Sequence, residues 1–200
     1  VDSLKNKVEF DVIPDRIEAG TFMIAVAMCG GDVILKDVEP KHLSIVTNKL
    51  IDAGADIDIE TKQLRVRMDK RPKSIDMSTA IYPGFPTDLQ AQWMALMTIA
   101  EGSSTVTDTI YTDRFTHIAE LERLGAKIHL DNNVAHITGV NKLYGAQVMS
   151  TDIRASASLV IAGLASNAET EISRIYHIDR GYEQIEKKFS LIGGQIKRLS

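Results

Sequence analysis

Tyr82-Pro83-Gly84-Phe85-Pro86-Thr87-Asp88-Leu89-Gln90 ends one structure and starts another within nine residues. Two prolines and a glycine forbid a continuing strand or helix up to Pro86. Thr87 or Asp88 then offers a side-chain oxygen as an N-cap, and the absence of proline and glycine until Gly102 predicts a helix over Leu89 to Ala100. Trp93, Met94, Ala95, Leu96, Met97, Ile99 and Ala100 make that helix apolar on nearly every face, the pattern of a helix buried on all sides. Asp88 therefore stands at the mouth of a buried helix, either as a plain cap or as a carboxylate placed for chemistry.

The same construction recurs. Leu50-Ile51-Asp52-Ala53-Gly54-Ala55-Asp56-Ile57, Glu122-Arg123-Leu124-Gly125-Ala126-Lys127-Ile128 and Ser190-Leu191-Ile192-Gly193-Gly194-Gln195-Ile196 each read as a helix end, a glycine and a strand, with the glycines 71 and 68 residues apart. Each unit opens with an apolar helix, predicted over Thr21 to Met28, Leu89 to Ala100 and Ala155 to Ala165. A short alternating strand follows, at Asp32 to Val38, Ser104 to Thr109 and Glu169 to Ser173. Then comes an amphipathic helix, striped by Leu43, Val46 and Leu50, by Phe115, Ile118 and Leu121, and by Tyr182, Ile185, Phe189 and Ile192. Hairpins close the first two units, turning at Thr61-Lys62 and Asp131-Asn132. The third has only a predicted strand at Gly194 to Leu199, whose partner is expected from elsewhere in a parent chain.

These readings give an α/β (α+β) fold of three βαβαββ units, at about 7–70, 75–140 and 141–200, in one domain spanning 1–200. The apolar helices are expected inside, around a pseudo-threefold axis, with the sheets and amphipathic helices outside, as an inside-out α/β barrel. Asp69 to Ser74, with the three cationic residues Lys70, Arg71 and Lys73 and with Pro72, reads as a solvated linker.

Composition narrows the function classes. A chain 44% hydrophobic and 25% charged buries a sizeable core, and its net charge of −4 argues against nucleic acid or an anionic membrane as partner. No apolar run approaches the length of a membrane span, so a cytoplasmic protein is expected. The single cysteine, Cys29, excludes an internal disulfide and a cysteine-based zinc site, and reads as a buried, inert thiol. The histidines lack the spacing of a metal pair, so no metal and no cofactor are expected.

Polar residues repeat at matching positions. Asp15-Arg16, Thr87-Asp88 and Asp152-Ile153-Arg154 precede the three apolar helices, and Arg114 and Arg180 follow Asp88 and Arg154 by 26 residues each. Both arginines come after an aspartate where a second helix is expected to start. Two readings stand side by side: local caps and surface ion pairs, or a site for an anionic ligand at one end of the domain, built from helix N-termini and bidentate arginines.

With these residues in place the chain resembles the enolpyruvyl transferases, most closely the branch whose acceptor is UDP-N-acetylglucosamine. The resemblance is carried by Pro14-Asp15-Arg16-Ile17-Glu18-Ala19-Gly20-Thr21-Phe22, Phe85-Pro86-Thr87-Asp88-Leu89-Gln90-Ala91-Gln92, Thr151-Asp152-Ile153-Arg154-Ala155-Ser156-Ala157-Ser158 and Tyr176-His177-Ile178-Asp179-Arg180-Gly181-Tyr182-Glu183. It implies a transferase that moves the enolpyruvyl group of phosphoenolpyruvate to a sugar 3-hydroxyl and releases phosphate, early in peptidoglycan synthesis. It implies that this chain is one of two domains, that the catalytic cysteine lies in the other, and that the chain alone is inactive. It also implies roles: Asp88 as general base beside the sugar hydroxyl, Asp152 as acid or stabiliser near the reacting carbon, Arg154 and Arg180 as clamps on phosphoenolpyruvate, the backbone of Ile110 against the nucleotide sugar, and Arg114 as a further cleft residue. A shikimate-type acceptor, or a non-catalytic anion-binding module of the same fold, are the alternatives.

Overall fold

The computed structural model describes residues 9–199; residues 7 and 8 of the first expected unit, and Ser200, lie outside them. Unit two is the most complete. It runs β4 (Met77–Ser78), a 3₁₀ turn (Thr87–Leu89), α3 (Gln90–Met97), β5 (Ser103–Thr107), α4 (Ile118–Arg123), β6 (Lys127–Asp131) and β7 (Val134–Thr138). Its four strands order as β4-β5-β7-β6, with β4 parallel to β5 and the rest antiparallel. Unit one supplies α1 (Arg16–Cys29), β1 (Gly31–Lys36), α2 (Ser44–Asp52), β2 (Asp56–Glu60) and β3 (Gln63–Met68), in a sheet ordered β1-β3-β2. Unit three supplies β8 (Gln147–Met149), α5 (Ile153–Leu164), β9 (Glu171–Ser173), α6 (Tyr176–Asp179) and α7 (Ile185–Leu191), with β8 parallel to β9.

Sequence pattern explains the layering. Every residue of α3 is buried, as are Ile17 and Ala19 through Met28 of α1 and Ala155 through Ala162 of α5. The three helices touch one another pairwise and form the centre of the molecule. The outer helices bury one stripe each: Val46, Thr47 and Leu50 on α2, Ile118 and Leu121 on α4, Ile185 and Phe189 on α7. Gly54, Gly125 and Gly193 take φ of +107°, +92° and +95°, the conformation that lets the chain leave each outer helix.

The three sheets stay separate, one to a unit outside the central helices, as expected, and no closed barrel forms among the described residues. Several other expectations need correction. Residues 9–15 form no strand, and Phe10, Val12 and Ile13 are exposed, so among the described residues unit one shows no counterpart of β4 and β8. Gly194 to Leu199 is likewise unpaired among the described residues: it faces β9 across an open groove of about 1060 Å³. The second hairpin turns one residue later than expected, with Asn132 in the left-handed region at φ +53°. Cys29 is exposed as a residue at the end of α1, yet its thiol is desolvated enough to be pushed up to about 11, so it stays protonated and unreactive.

The linker is solvated as expected, with Asp69, Lys70, Arg71 and Lys73 exposed, and it also acts as a clasp. Arg71 donates to the carbonyls of Ile99 (2.7 Å), Ala100 (3.1 Å) and Val140 (2.9 Å) and to Asn141 Oδ1 (2.9 Å). Four acceptors satisfied by one cation fasten the crossing between units one and two to the crossing between units two and three. Arg71→Ala is expected to lower stability by about 2 kcal/mol, since charged-donor hydrogen bonds are worth about 1.5–3 kcal/mol each where buried and less at a surface. Urea denaturation would read this, and an unchanged midpoint would contradict it.

Candidate active site

Asp88 lies in the 3₁₀ turn ahead of α3, and neither it nor Thr87 caps that turn. Its carboxylate turns away from its own helix: Oδ1 accepts from Arg114 Nη1 at 2.8 Å and from Arg154 Nε at 3.1 Å. The expected cap is therefore replaced by a three-residue ion cluster joining units two and three. Partial burial alone would push the Asp88 carboxyl up. The Arg154 charge and the hydrogen bonds from both arginines outweigh it, so the group is held below its ordinary 3.8. For Arg154, burial works against the cation, but the Asp88 charge and the Tyr182 oxygen more than compensate and its pKa rises. The pair is ionised at neutral pH.

Asp152 does cap its helix. Its Oδ1 accepts from the amides of Arg154 (2.8 Å) and Ala155 (3.0 Å), and its Oδ2 faces Thr116 Oγ1 at 3.4 Å. The cap orients the first turn of α5, which carries Arg154. Asp113-Arg114 sits in turns ahead of α4, and Arg180 is the C-cap of α6, so neither arginine marks a helix N-terminus as expected. Both helices are shorter than their sequence pattern, because the chain turns between the aspartate and the apolar stripe. Arg180 is exposed and takes no part in the ion pairs among the described residues. Its segment still passes the cluster, since a methyl on the adjoining Gly181 would lie 3.9 Å from Arg154 Nη1.

Ile110 donates its amide to Asp108 Oδ1 at 3.0 Å, which leaves its carbonyl and half-exposed side chain to meet a ligand. Asp108 escaped the sequence reading. It is fully buried and accepts from Thr79 Oγ1 (2.7 Å), Thr87 Oγ1 (2.6 Å) and the amides of Ile110 (3.0 Å) and Tyr111 (2.9 Å). One carboxylate thus locks the Ile110 loop to the residue preceding Asp88. Its sequence signal is slight, an aspartate closing the alternation Thr105-Val106-Thr107-Asp108. Asp108→Asn replaces one acceptor face by a donor, and is expected to lower stability by about 2 kcal/mol and to speed hydrogen exchange at Ile110 and Tyr111. Unchanged exchange at those two amides would refute the lock.

Among the described residues no group of three or more histidine, cysteine or acidic side chains could hold a metal ion, and no helix is long and apolar enough to cross a membrane.

An all-inward trio of apolar helices thus has carboxylates and arginines gathered where two of them begin. Residues 2–189 match the sequence profile of the EPSP synthase (3-phosphoshikimate 1-carboxyvinyltransferase) family, and the chain belongs to that family. Among solved structures, the enolpyruvyl transferase NikO from Streptomyces tendae superposes with a TM-score of 0.85 at 24% identity, over 93% of this chain and 44% of that one. EPSP synthase from Acinetobacter baumannii gives a TM-score of 0.72 at 16% identity, over 95% and 45%. At these identities the likeness is one of fold. The chain spans less than half the length of either protein.

Proposed function

We propose that this chain contributes one of two domains to a UDP-N-acetylglucosamine 1-carboxyvinyltransferase, which moves the enolpyruvyl group of phosphoenolpyruvate to the sugar 3-hydroxyl and releases phosphate. The observation that carries this reading is the Asp88–Arg114–Arg154 cluster at the mouth of α3, two of whose members, Asp88 and Arg154, lie in the sequence strings that resemble that branch of the family. Asp88, ionised and half-buried, accepts the hydroxyl proton once the arginines turn to the anionic substrate. Arg154 and Arg180 grip the phosphate and carboxylate of phosphoenolpyruvate, Asp152 stands at the reacting carbon, Ile110 borders the nucleotide sugar, and Arg114 flanks the cleft. The groove beside β9 takes strands from the other part of the enzyme. The reaction is a cytoplasmic step of peptidoglycan synthesis, and the chain alone does not turn over.

A second reading is transfer to a shikimate-type acceptor. It is favoured by the family's own description and by the EPSP synthase likeness. Phosphate release from phosphoenolpyruvate, followed with the complementary domain supplied, tests both. Release that requires UDP-N-acetylglucosamine supports the first; release only with shikimate 3-phosphate transfers the site to the second. No release with either acceptor and the fold intact leaves a non-catalytic anion-binding module.

A further inference from the structure

Among the described residues the Arg114 guanidinium meets three groups. Its Nη1 lies 2.8 Å from Asp88 Oδ1 and 3.5 Å from Thr87 Oγ1, and its central carbon stands 4.8 Å from the centroid of the Tyr111 ring. Two of the three are fastened by Asp108, whose Oδ2 accepts from the Thr87 hydroxyl at 2.6 Å and whose Oδ1 accepts from the Tyr111 amide at 2.9 Å. The protons can be counted. A guanidinium only donates, so Thr87 Oγ1 accepts from Arg114 and its one proton is left for Asp108. Asp108 Oδ1 also serves the Thr79 hydroxyl and the Ile110 amide, and Thr79 Oγ1 in turn accepts from the Thr109 amide at 2.9 Å. Three consecutive amides of the loop are thereby tied down. Asn133 pins Asp108 from behind: its carbonyl accepts the Asp108 amide at 3.0 Å and its side chain donates to the Asp108 carbonyl at 3.0 Å. With its backbone held and its side chain fully buried, Asp108 offers two fixed oxygens from which Thr87 and Tyr111 hang.

We propose that Asp108 is a positioning residue, which through Thr87 and Tyr111 seats the Arg114 guanidinium against Asp88. One buried carboxylate then aligns two parts of the proposed site, the Ile110 loop on the side of the acceptor and the Arg114–Asp88 pair on the side of the base. The inference deepens the transferase reading and rests on it only for its kinetic consequence.

The test follows the Asp88 carboxyl by carbon NMR through an acid titration of this chain; the charged groups facing it are Arg114 and Arg154. In Asp108→Asn the side-chain oxygen stays with the loop amides, so the nitrogen turns to Thr87 and a donor replaces the acceptor of the Thr87 proton. Arg114 is then expected to leave its seat, raising the Asp88 midpoint toward 3.8 with about a threefold or greater change in its acid constant. The sign is diagnostic. Deleting a negative charge in this neighbourhood would by itself lower the midpoint, so a rise reports lost contact with Arg114. Thr87→Val, which leaves the Ile110 loop anchored, is expected to raise the midpoint as well, and Thr87→Ser to leave it in place; this pair decides should Asp108→Asn not fold. A carboxylate that merely closes a loop would lower the melting temperature in Asp108→Asn while the midpoint stays or falls, and would leave it in place in Thr87→Val; that result overturns the proposal. With the complementary domain supplied, Thr87→Val is expected to reduce kcat about tenfold with little change in KM for the acceptor, and Asp108→Asn to raise that KM as well, because only it frees the Ile110 loop. A raised midpoint without turnover by the unmodified protein would refute the transferase reading and leave this inference standing; turnover with an unmoved or lowered midpoint would do the reverse.

Discussion

Asp88→Asn is expected to reduce turnover of the assembled enzyme by about 10²–10⁴-fold, the range in which a positioned general base acts. The substitution keeps the shape of the side chain and one hydrogen-bond acceptor for the arginines, but removes the group able to take the hydroxyl proton. The two arginines hold the carboxyl below 3.8, which makes Asp88 a weak base in the absence of substrate. On the proposed reading, anionic phosphoenolpyruvate draws Arg154 away and restores that basicity, and the proton is then expected to be accepted only with both substrates in place. KM for phosphoenolpyruvate is therefore expected to change little, because Arg154 and Arg180 remain. Stability is expected to change little as well, since the Asp88 side chain is 38% exposed and surface-screened pairs contribute less than about 1 kcal/mol. Phosphate release within a few-fold of the unmodified rate would remove Asp88 from the chemistry and, with it, the chief support for an active site at the mouth of α3.

The distance over which each feature is decided explains what could be read from sequence. The helix-ending glycines and the apolar runs of α1, α3 and α5 are local patterns, and the layered fold follows from them. The identity of the partner for Asp88 is not local. Arg114 lies 26 residues away and Arg154 66, and nothing near Asp88 distinguishes a carboxylate that caps its own helix from one that crosses to another unit. Asp152, with the same sequence signature, does cap. The difference is that Arg114 and Arg154 converge on Asp88, whereas only the hydroxyl of Thr116 reaches Asp152. Tyr182, Asp108 and Arg71 make their polar contacts with segments distant in sequence, so no local pattern signals them. The strand expected at Gly194 to Leu199 finds no pairing edge among the described residues, because period-two patterning reports a face to bury and carries no information about an edge to join.

Acidification from pH 6.5 to pH 4 is expected to cost the fold about 3 kcal/mol through one side chain, His117. It sits just before α4, 1% exposed, its ring stacked on Phe115 and its Nε2 3.2 Å from Met94 Sδ on the central helix. Burial pulls its pKa from 6.5 to about 4; the Asp152 charge draws it up again and the Arg114 charge pushes it down, and neither rivals the desolvation. An imidazole that takes a proton near 6.5 when unfolded and near 4 when folded makes the unfolded chain the better proton acceptor between those values. Its contribution is complete above 6.5 and drains away as pH falls toward 4. Asp88, the other group here with a depressed folded-state pKa and appreciable burial, acts in a different window. Its stabilisation is complete above 3.8 and is lost only below it. The two effects are separable by measuring unfolding free energies in urea at pH 7.5, 5.5 and 4.5, all above the Asp88 window. His117→Leu, which fills the site without a titrating group, is expected to be the less pH-sensitive protein over this range, with the gap between the two curves closing by about 2–3 kcal/mol on acidification. Parallel curves would mean that the imidazole reaches water or Asp152 as a cation, and that the packing of Met94 and Phe115 around it is looser than the distances describe.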